Sequence, residues 1–378
     1  MYRPESERVT ALPLPGMRIG MVSPYSLSVP GGVQGQVLGL ARALRAKGHF
    51  VRVLGPCDGP PPEPGITPLG NSIPTAANGS IAPIAPDVPA QLRFIRSLRD
   101  EDFEILHLHE PISPGPNTTA AIIKHAPLIG TFHAAGDSKA YEYLGFLARW
   151  VNRRLDARCA VSEDARALAQ RHLGGEYTIL FNGIEVERFA RAEPVATEAP
   201  TVFFLGRHEE RKGLQVLLAA LRFLPADLRL WVAGDGPLTA VLREQYRGDP
   251  RVEWLGRITD AERARRLRGA DVYCAPSIRG ESFGIVLLEA MAAGVPIVAS
   301  NLDGYANVAR ADREAVLVEP GSPEDLAAGI IRVFEDRALA ASLVEAGSHR
   351  ADAFSMDHLA DRYLALYHPL IARPGALG

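Results

Sequence analysis

Short apolar runs alternate with helix-period stretches along nearly the whole chain. Met17–Ser23 (MRIGMVS) has the near-continuous apolar character of a buried strand, and Val33–Lys47 follows with helical spacing. There Val33, Val37, Leu40, Ala41 and Leu44 share one face, and Gly48 closes the helix. Phe50–Leu54 predicts the next strand. Pro56–Pro89 carries ten prolines and predicts a loop, with strand character only around Ile66–Leu69. Ile105–His109, Leu128–His133, Ala157–Val161 and Tyr177–Phe181 continue the series, each separated from the next by a helical stretch. Ala190–Pro200 (ARAEPVATEAP) reads as a linker. Beyond it the alternation restarts with Val202–Leu205, Leu228–Ala233, Val252–Leu255, Val272–Ala275, Ile297–Ala299 and Ala315–Val318. Met356–Ile371 is amphipathic and is expected to pack back onto the first half.

This pattern predicts an α/β protein with two Rossmann-like, doubly wound parallel-sheet domains facing a cleft. The expected division is a disordered extension at 1–16, a first domain at 17–182, a second at 183–355 and a returning C-terminal helix at 356–378.

Composition narrows the function. The 378 residues include 41 Lys+Arg against 44 Asp+Glu, a net charge of −3, which argues against a general nucleic-acid binder. Cys57, Cys159 and Cys274 are too scattered for a disulfide framework or a thiolate zinc site, which points to a reducing, cytoplasmic compartment. The first sixteen residues lack the apolar core of a signal peptide. No stretch reaches about 18 uncharged apolar residues, since Ile285–Ala299 is broken by Glu289 and Pro296. A soluble or surface-bound protein is expected.

Three clusters sit where strands run into helices. In Ser23–Gln34, Gly31-Gly32 precedes a helix, where backbone amides can approach a phosphate; a plain Pro-Gly turn explains the dipeptide equally well. In Phe204–Gly213 (FLGRHEERKG), Arg207 and Lys212 offer two cations at a strand's carboxyl end, suited to a diphosphate. Glu209 and Glu210 also fit a solvated charged loop. Ala275–Ala290 is the most informative cluster. Amides of Ser282, Phe283, Gly284 and Ile285 open a helix, Glu281 precedes it, and Glu289 lies within an apolar stretch that implies a specific partner. Eight helical residues span about 12 Å, too far for a retaining glycosidase pair at about 5 Å. His107 and His109 share a strand face but have no third metal ligand in view, so a structural role, or one supporting a neighbouring site residue, is favoured. His133, at the end of a strand, is the better site candidate. Gly234-Asp235-Gly236-Pro237 is only a fragment of a dinucleotide fingerprint.

Together these blocks resemble the retaining GT-B glycosyltransferases of family 4, over roughly Met17 to Ile371. Glu281-x7-Glu289 and the Gly206-Arg207…Arg211-Lys212-Gly213 element are the signatures that carry the likeness. Within that family Arg18–Val22, Val29–Gln34, Leu106–Pro111 and Gly280–Ala293 (GESFGIVLLEAMAA) are similar to the actinobacterial phosphatidylinositol α-mannosyltransferases.

The resemblance implies a GDP-mannose donor held by the second domain, a phosphatidylinositol acceptor on the first, and no required metal or cofactor. It implies Arg207 and Lys212 on the diphosphate, with Gly32 approaching from the first domain. It implies Glu281 on the transferred sugar, Glu289 on the ribose, and Ile258 and Arg263 beside the base. His133 would lie near sugar and acceptor; Tyr25, Gln34 and Asn78 would lie on the acceptor side. Peripheral contact with an anionic inner membrane face is implied as well.

The basic apparatus for such contact differs from the family. Ile81–Pro86 has no arginine, and Gln91–Arg99 offers only Arg93, Arg96 and Arg99. Tyr141–Arg154 is another candidate membrane surface, with Tyr143, Phe146, Leu147 and Trp150 on one face and Arg149, Arg153 and Arg154 nearby, although a stripe at this spacing is more often core and is expected to be so. Open alternatives are another nucleotide sugar, another acceptor (a different lipid, a thiol precursor or a polysaccharide), and a noncatalytic nucleotide-binding module.

Overall fold

The structure, a computed structural model, describes residues 16–29, 31–77, 80–134, 145–281 and 283–372. The extension at 1–15, Asn78, Tyr141, Tyr143 and Ser282 lie outside the described residues.

The first half contributes β1 (Arg18–Val22), β2 (Phe50–Gly55), β3 (Ile66–Pro68), β4 (Ile73–Ala77), β5 (Ser80–Ile84), β6 (Ile105–His109), β7 (Leu128–Phe132), β8 (Ala157–Ala160) and β9 (Thr178–Ile179). Seven of these form a parallel sheet in the order β3-β2-β1-β6-β7-β8-β9. The second half contributes β10 (Thr201–Leu205), β11 (Arg229–Ala233), β12 (Val252–Gly256), β13 (Val272–Ala275), β14 (Ile297–Ser300) and β15 (Val316–Val318). They form a parallel sheet in the order β12-β11-β10-β13-β14-β15.

Both faces of each sheet are covered, which is why the strands read as apolar runs rather than alternating ones. Along β1, Ile19 and Met21 pack in one cluster with Val37, Leu40 and Leu44, while Val22 packs in the opposite one with Phe94, Leu106 and Leu108. Gly20 lies on that second face because a Cβ there would sit 2.7 Å from the Leu106 side chain. In each sheet the strand order reverses beside the first strand, between β1 and β6 and between β10 and β13. Loops at the carboxyl ends of those strands diverge and leave a crevice. The charged and glycine-bearing clusters of the sequence occupy these loops.

Three expectations change. The proline-rich segment contains β3 and also an antiparallel pair, β4 with β5, in which Pro74 faces Pro83. A short, isolated pair tolerates residues without an N–H, so the prolines do not forbid it. The predicted linker is no free spacer: the Val195 amide donates to the Arg265 carbonyl (3.2 Å), and its own carbonyl lies where a Cβ on Gly269 would be. Finally, the stripe expected to be core is split: Trp150 packs partly buried against the core, whereas Phe146 and Leu147 are exposed. Phe146 is 79% exposed, and Ala148, Val151 and Asn152 face inward from the helix Gly145–Arg154.

The helix Met356–Ile371 has the predicted bounds and returns to the first sheet. Met356, Leu359, Ala360, Tyr363, Tyr367 and Leu370 pack among Ile19, Met21, Val37 and Leu40. The chain therefore passes between the two halves twice, and the passages are bonded to each other: Ile184 N–H donates to the Phe354 carbonyl (2.9 Å) and Met356 N–H to the Ile184 carbonyl (2.8 Å). The buried Gln36 amide grips Gly183 beside them, donating to its carbonyl and accepting from its N–H, both at 2.9 Å. Gln36→Leu leaves both backbone groups of Gly183 without their partner. It is expected to cost about 1–3 kcal/mol, read as a lower urea midpoint with an unchanged slope.

Candidate active site

On the first half, β1 ends at Val22 and the chain turns through Ser23–Val29 into the helix Gly32–Ala46. Gly31 is its extended N-cap, and no acidic residue stands in its first turn. A Cβ on Gly32 would meet nothing within 4 Å, so the space beside the first turn of this 15-residue helix is clear for an approaching group. That is a ready anion site. Gln34 is buried and donates to the Ser26 carbonyl (3.3 Å), so it braces the loop. Tyr25 bridges to Ile84 as an isolated antiparallel pair. Burial and the neighbouring Glu110 charge push its phenol above the ordinary range, so it stays a neutral hydrogen-bonding group.

Histidines and a carboxylate lie beneath this loop. His133 follows β7, and its Nε2 shares a hydrogen bond with Nδ1 of His109 at 3.0 Å. His109 stacks on His107, ring centroids 4.3 Å apart. Both nitrogens of His107 are taken, Nδ1 by the Tyr367 hydroxyl (2.8 Å) and Nε2 by the Thr131 hydroxyl (2.7 Å), and Thr131 also meets the Tyr363 hydroxyl. The pair that superficially suited a metal is thus built into a polar core. Glu110 has φ of 50° and accepts from the amides of His133 (2.6 Å) and Ala134 (2.5 Å). Burial nevertheless pushes its carboxyl up to about 7, the amides opposing the rise.

On the second half, β10 and β13 flank the strand-order reversal and deliver the two charged loops. The Ile278 amide donates to the Arg211 carbonyl (2.8 Å) and ties the loops together. Gly213 has φ of 71°, and a Cβ there would lie 1.8 Å from the Pro276 carbonyl oxygen. This approach lets Lys212 Nζ reach Glu281 Oε1 at 2.5 Å, in a site where the Glu281 side chain is 10% exposed. Ser277 Oγ donates to the same oxygen (2.8 Å) and accepts from the Tyr305 hydroxyl (3.1 Å). Arg207 is largely exposed and folds back on Glu209 (2.9 Å), while Arg211 reaches the Gly280 carbonyl (3.2 Å). In this state both predicted phosphate cations are engaged by carboxylates, Arg207 by Glu209 of its own loop and Lys212 by Glu281 of the neighbouring one.

The helix Ile285–Ala293 opens from Gly284 at φ 87°, with no acid in its first turn. Glu289 is buried within it and pairs with Arg263 at 3.3 Å. Burial raises its carboxyl and the Arg263 charge opposes the rise. Oε2 of Glu289 and Nε of Arg263 are buried without a partner, an acceptor and a donor left open side by side in sequence-predicted site residues. Ile258 packs partly buried at the edge of the same core. Phe283 stacks on Phe181, centroids 5.4 Å apart, joining the Glu281 loop to the first passage between the halves.

The structure therefore gathers Lys212 with Glu281, and Arg263 with Glu289, on the second half, and places His133 by the loop of Tyr25, Gly32 and Gln34 on the first. Sequence reasoning missed Ser277, Tyr305 and Glu110 as parts of these sites, while the supporting role it allowed His109 fits the bond to His133. Glu110 and His109 stand in the quoted block Leu106–Pro111, but the carboxylate's partners are amides, which have no sequence signature. Tyr305 arrives from a separate element. Among the described residues, no group of three or more His, Cys, Asp or Glu is placed to hold a metal ion, and no helix is long and apolar enough to cross a membrane.

Two facing parallel sheets with cations and helix openings at their strand-order reversals define the GT-B class of glycosyltransferases. Solved structures agree. The Anabaena protein HepE, crystallised with UDP, superposes with a TM-score of 0.71 at 18% identity, covering 94% of this chain and all of that one. Sucrose-phosphate synthase from Thermosynechococcus elongatus gives 0.70 at 21% identity, covering 94% and 99%. The family models Glyco_transf_4 (Glycosyltransferase Family 4) and Glycos_transf_1 (Glycosyl transferases group 1) match residues 30–188 and 185–350. The phosphatidyl-myo-inositol mannosyltransferase of Mycobacterium leprae is 39% identical over 93% of this chain and 96% of its own length. Its namesake from Mycolicibacterium smegmatis is 38% identical over 93% of each. The chain belongs to this family of glycosyltransferases.

Two outcomes follow from the geometry. Gly213→Ala forces a Cβ against a carbonyl at a left-handed φ and is expected to cost about 1–3 kcal/mol or more in urea unfolding. The second concerns acid. Unfolded histidine titrates near 6.5, whereas burial pulls His133 down to about 4 and His107 to about 3. Below 6.5 the unfolded chain takes up protons that the fold refuses, so this contribution to stability falls as pH drops from 6.5 to about 4. Glu110 acts oppositely, since its proton is held up to about 7 in the fold; its contribution falls as pH rises from the unfolded value towards 7. His133→Gln is expected to lose less stability than wild type between about pH 7 and pH 5, measured as the shift in urea midpoint.

Proposed function

We propose that this protein transfers mannose from GDP-mannose to phosphatidylinositol, with retention at the anomeric carbon, at the cytoplasmic face of the membrane. The observation that carries the reading is likeness to phosphatidyl-myo-inositol mannosyltransferases over nearly the full length of both chains, with the Lys212–Glu281 and Arg263–Glu289 pairs intact.

In this reading residues 17–182 hold the acceptor, 183–355 hold the donor, and the helix from Met356 closes back on the acceptor side. Lys212 and Arg207 exchange their carboxylate partners for the donor diphosphate. Gly32 and the helix opening at Ser282–Ile285 supply amides. Glu281, released from Lys212, accepts hydroxyl hydrogen bonds from the mannose. The open oxygen of Glu289 takes the ribose, with Arg263 and Ile258 beside the base. Tyr25, Gln34, Asn78 and His133 form the acceptor side.

The bond from the anomeric carbon to the phosphate oxygen breaks through an oxocarbenium-like state, and charge grows on the leaving diphosphate. Preorganised cations and amides stabilise that charge more than the ground state. The acceptor oxygen bonds to the same face of the sugar, and its proton passes to the departing phosphate oxygen, so no carboxylate nucleophile is needed. No metal or cofactor is required in this scheme. Closure of the halves excludes water and limits hydrolysis.

The helix Val88–Glu101 suits an anionic surface: Val88, Leu92 and Ile95 are exposed beside Arg96 and Arg99. Arg93 is drawn inward to the Leu69 carbonyl (2.6 Å), so two of the three arginines of the Gln91–Arg99 stretch stay exposed, and lipid phosphates would take them from Asp100, which pairs with Arg96 at 3.4 Å and Arg99 at 3.7 Å.

Purified protein with GDP-mannose and phosphatidylinositol vesicles is expected to yield mannosyl-lipid by mass spectrometry. GDP release without lipid product would move the acceptor elsewhere, and silence with GDP-mannose but turnover of a UDP-sugar would move the donor. Lys212→Ala and Glu281→Ala are each expected to lower transfer at least about 100-fold with unchanged circular dichroism. Near-wild-type transfer by either would overturn the donor-site assignment.

A further inference from the structure

His109 and His133 share one hydrogen bond between two ring nitrogens, Nδ1 and Nε2 at 3.0 Å, and one proton lies between them. Which ring owns it is settled by the far side of His109. That residue is 2% exposed, and its Nε2 is buried with no partner. It lines a small cavity with Gln36, His133, Asn182 and Tyr363, where Asn182 Oδ1 is likewise buried and unbonded. Burial, with His107 and His133 as neighbours, holds His109 neutral, so it carries one proton. A proton on Nε2 would be a buried N–H with no acceptor within hydrogen-bonding distance, Asn182 Oδ1 included, while the shared bond would have to be supplied by His133. Orphaned buried N–H groups are rarer than under-satisfied acceptors. A proton on Nδ1 leaves only a bare lone pair facing the cavity and makes the shared bond with its own hydrogen.

We infer that His109 is a positioning residue that donates to His133 Nε2 and thereby fixes the proton of His133 on Nδ1. His133 is only half-buried, and Nδ1 is its remaining ring nitrogen. It therefore presents the substrate with a neutral N–H donor and no base. A donor there meets an oxygen acceptor, a sugar hydroxyl or the oxygen developing charge. It cannot accept the acceptor hydroxyl's proton through that nitrogen. This inference rests on the proposed reading of His133 as a substrate-side group and specifies its chemistry.

Nitrogen-15 spectra of histidine-labelled full-length protein distinguish the tautomers directly, with His133→Gln identifying the resonances of His133. Wild type is expected to show the proton on Nδ1 of His133. His109→Leu removes the donor; the His133 proton is then expected to move at least partly to Nε2. With that shift, kcat for the transfer reaction is expected to fall about tenfold while KM for the nucleotide sugar changes little. His109→Asn retains a donor near the Nδ1 position and is expected to restore both the tautomer and kcat.

A wild-type spectrum with the proton on Nε2 would overturn the inference without any variant, so it stays testable if His109→Leu fails to fold. Unchanged tautomer and kcat in a folded His109→Leu protein would overturn it too. Full transfer by His133→Gln would remove the role but leave an observed tautomer standing, which separates failure of the functional reading from failure of the tautomer assignment.

Discussion

The carbonyl oxygen of Pro276 occupies the place that a side chain on residue 213 would need. Because Gly213 leaves that space empty, the loops after β10 and β13 can lie against each other, and everything charged in the second half follows. Ile278 bonds to Arg211, Lys212 reaches Glu281, and Ser277 and Tyr305 complete the surroundings of that carboxylate. The ion pair is almost out of solvent, so each charge is sustained chiefly by the other. Such a pair stays in balance only while both members are present or are replaced by a ligand of matching charge. In the proposed reading a diphosphate meets that condition at Lys212, and sugar hydroxyls give Glu281 hydrogen-bond donors in place of the ammonium.

The first half is organised around a different economy. Its site histidine stands on a floor of buried polar groups in which nearly every atom has an assigned partner: Tyr367 with His107, His107 with Thr131, Thr131 with Tyr363. Two of these residues lie on the neighbouring strands β6 and β7, and two on the helix that begins at Met356, after the whole second half has been traversed. The floor is consequently finished only when the last helix has docked.

Much of this was legible in the chain. The parallel sheets follow from apolar runs of four to six residues, and the site loops from the places where those runs meet glycine and cations. Gly32, Lys212, Glu281 and Glu289 could be marked because their residue types are uncommon where they stand. What was not legible depended on partners brought from far along the chain. Nothing near Ser277 signals Tyr305, and nothing near Glu110 signals that two amides of the β7 loop will hold it. The β4–β5 pair was hidden by its prolines, which weaken a strand's signature more than they prevent a short paired edge. The exposed Phe146 was misjudged because helical spacing shows that residues share a face but not whether that face looks inward.

The two passages between the halves have a mechanical meaning. A single tether would let one half swivel and twist freely against the other. Two strands lying side by side, bonded from Ile184 to Phe354 and Met356, behave instead like a door hung on two pins. Swinging is cheap because it bends both strands together, whereas twisting would shear their mutual hydrogen bonds and pull Gln36 from Gly183. In the proposed reading, a cleft that shuts on this hinge follows the same path each time, so alignment of the two substrates is carried by the hinge itself and need not be found anew in every turnover.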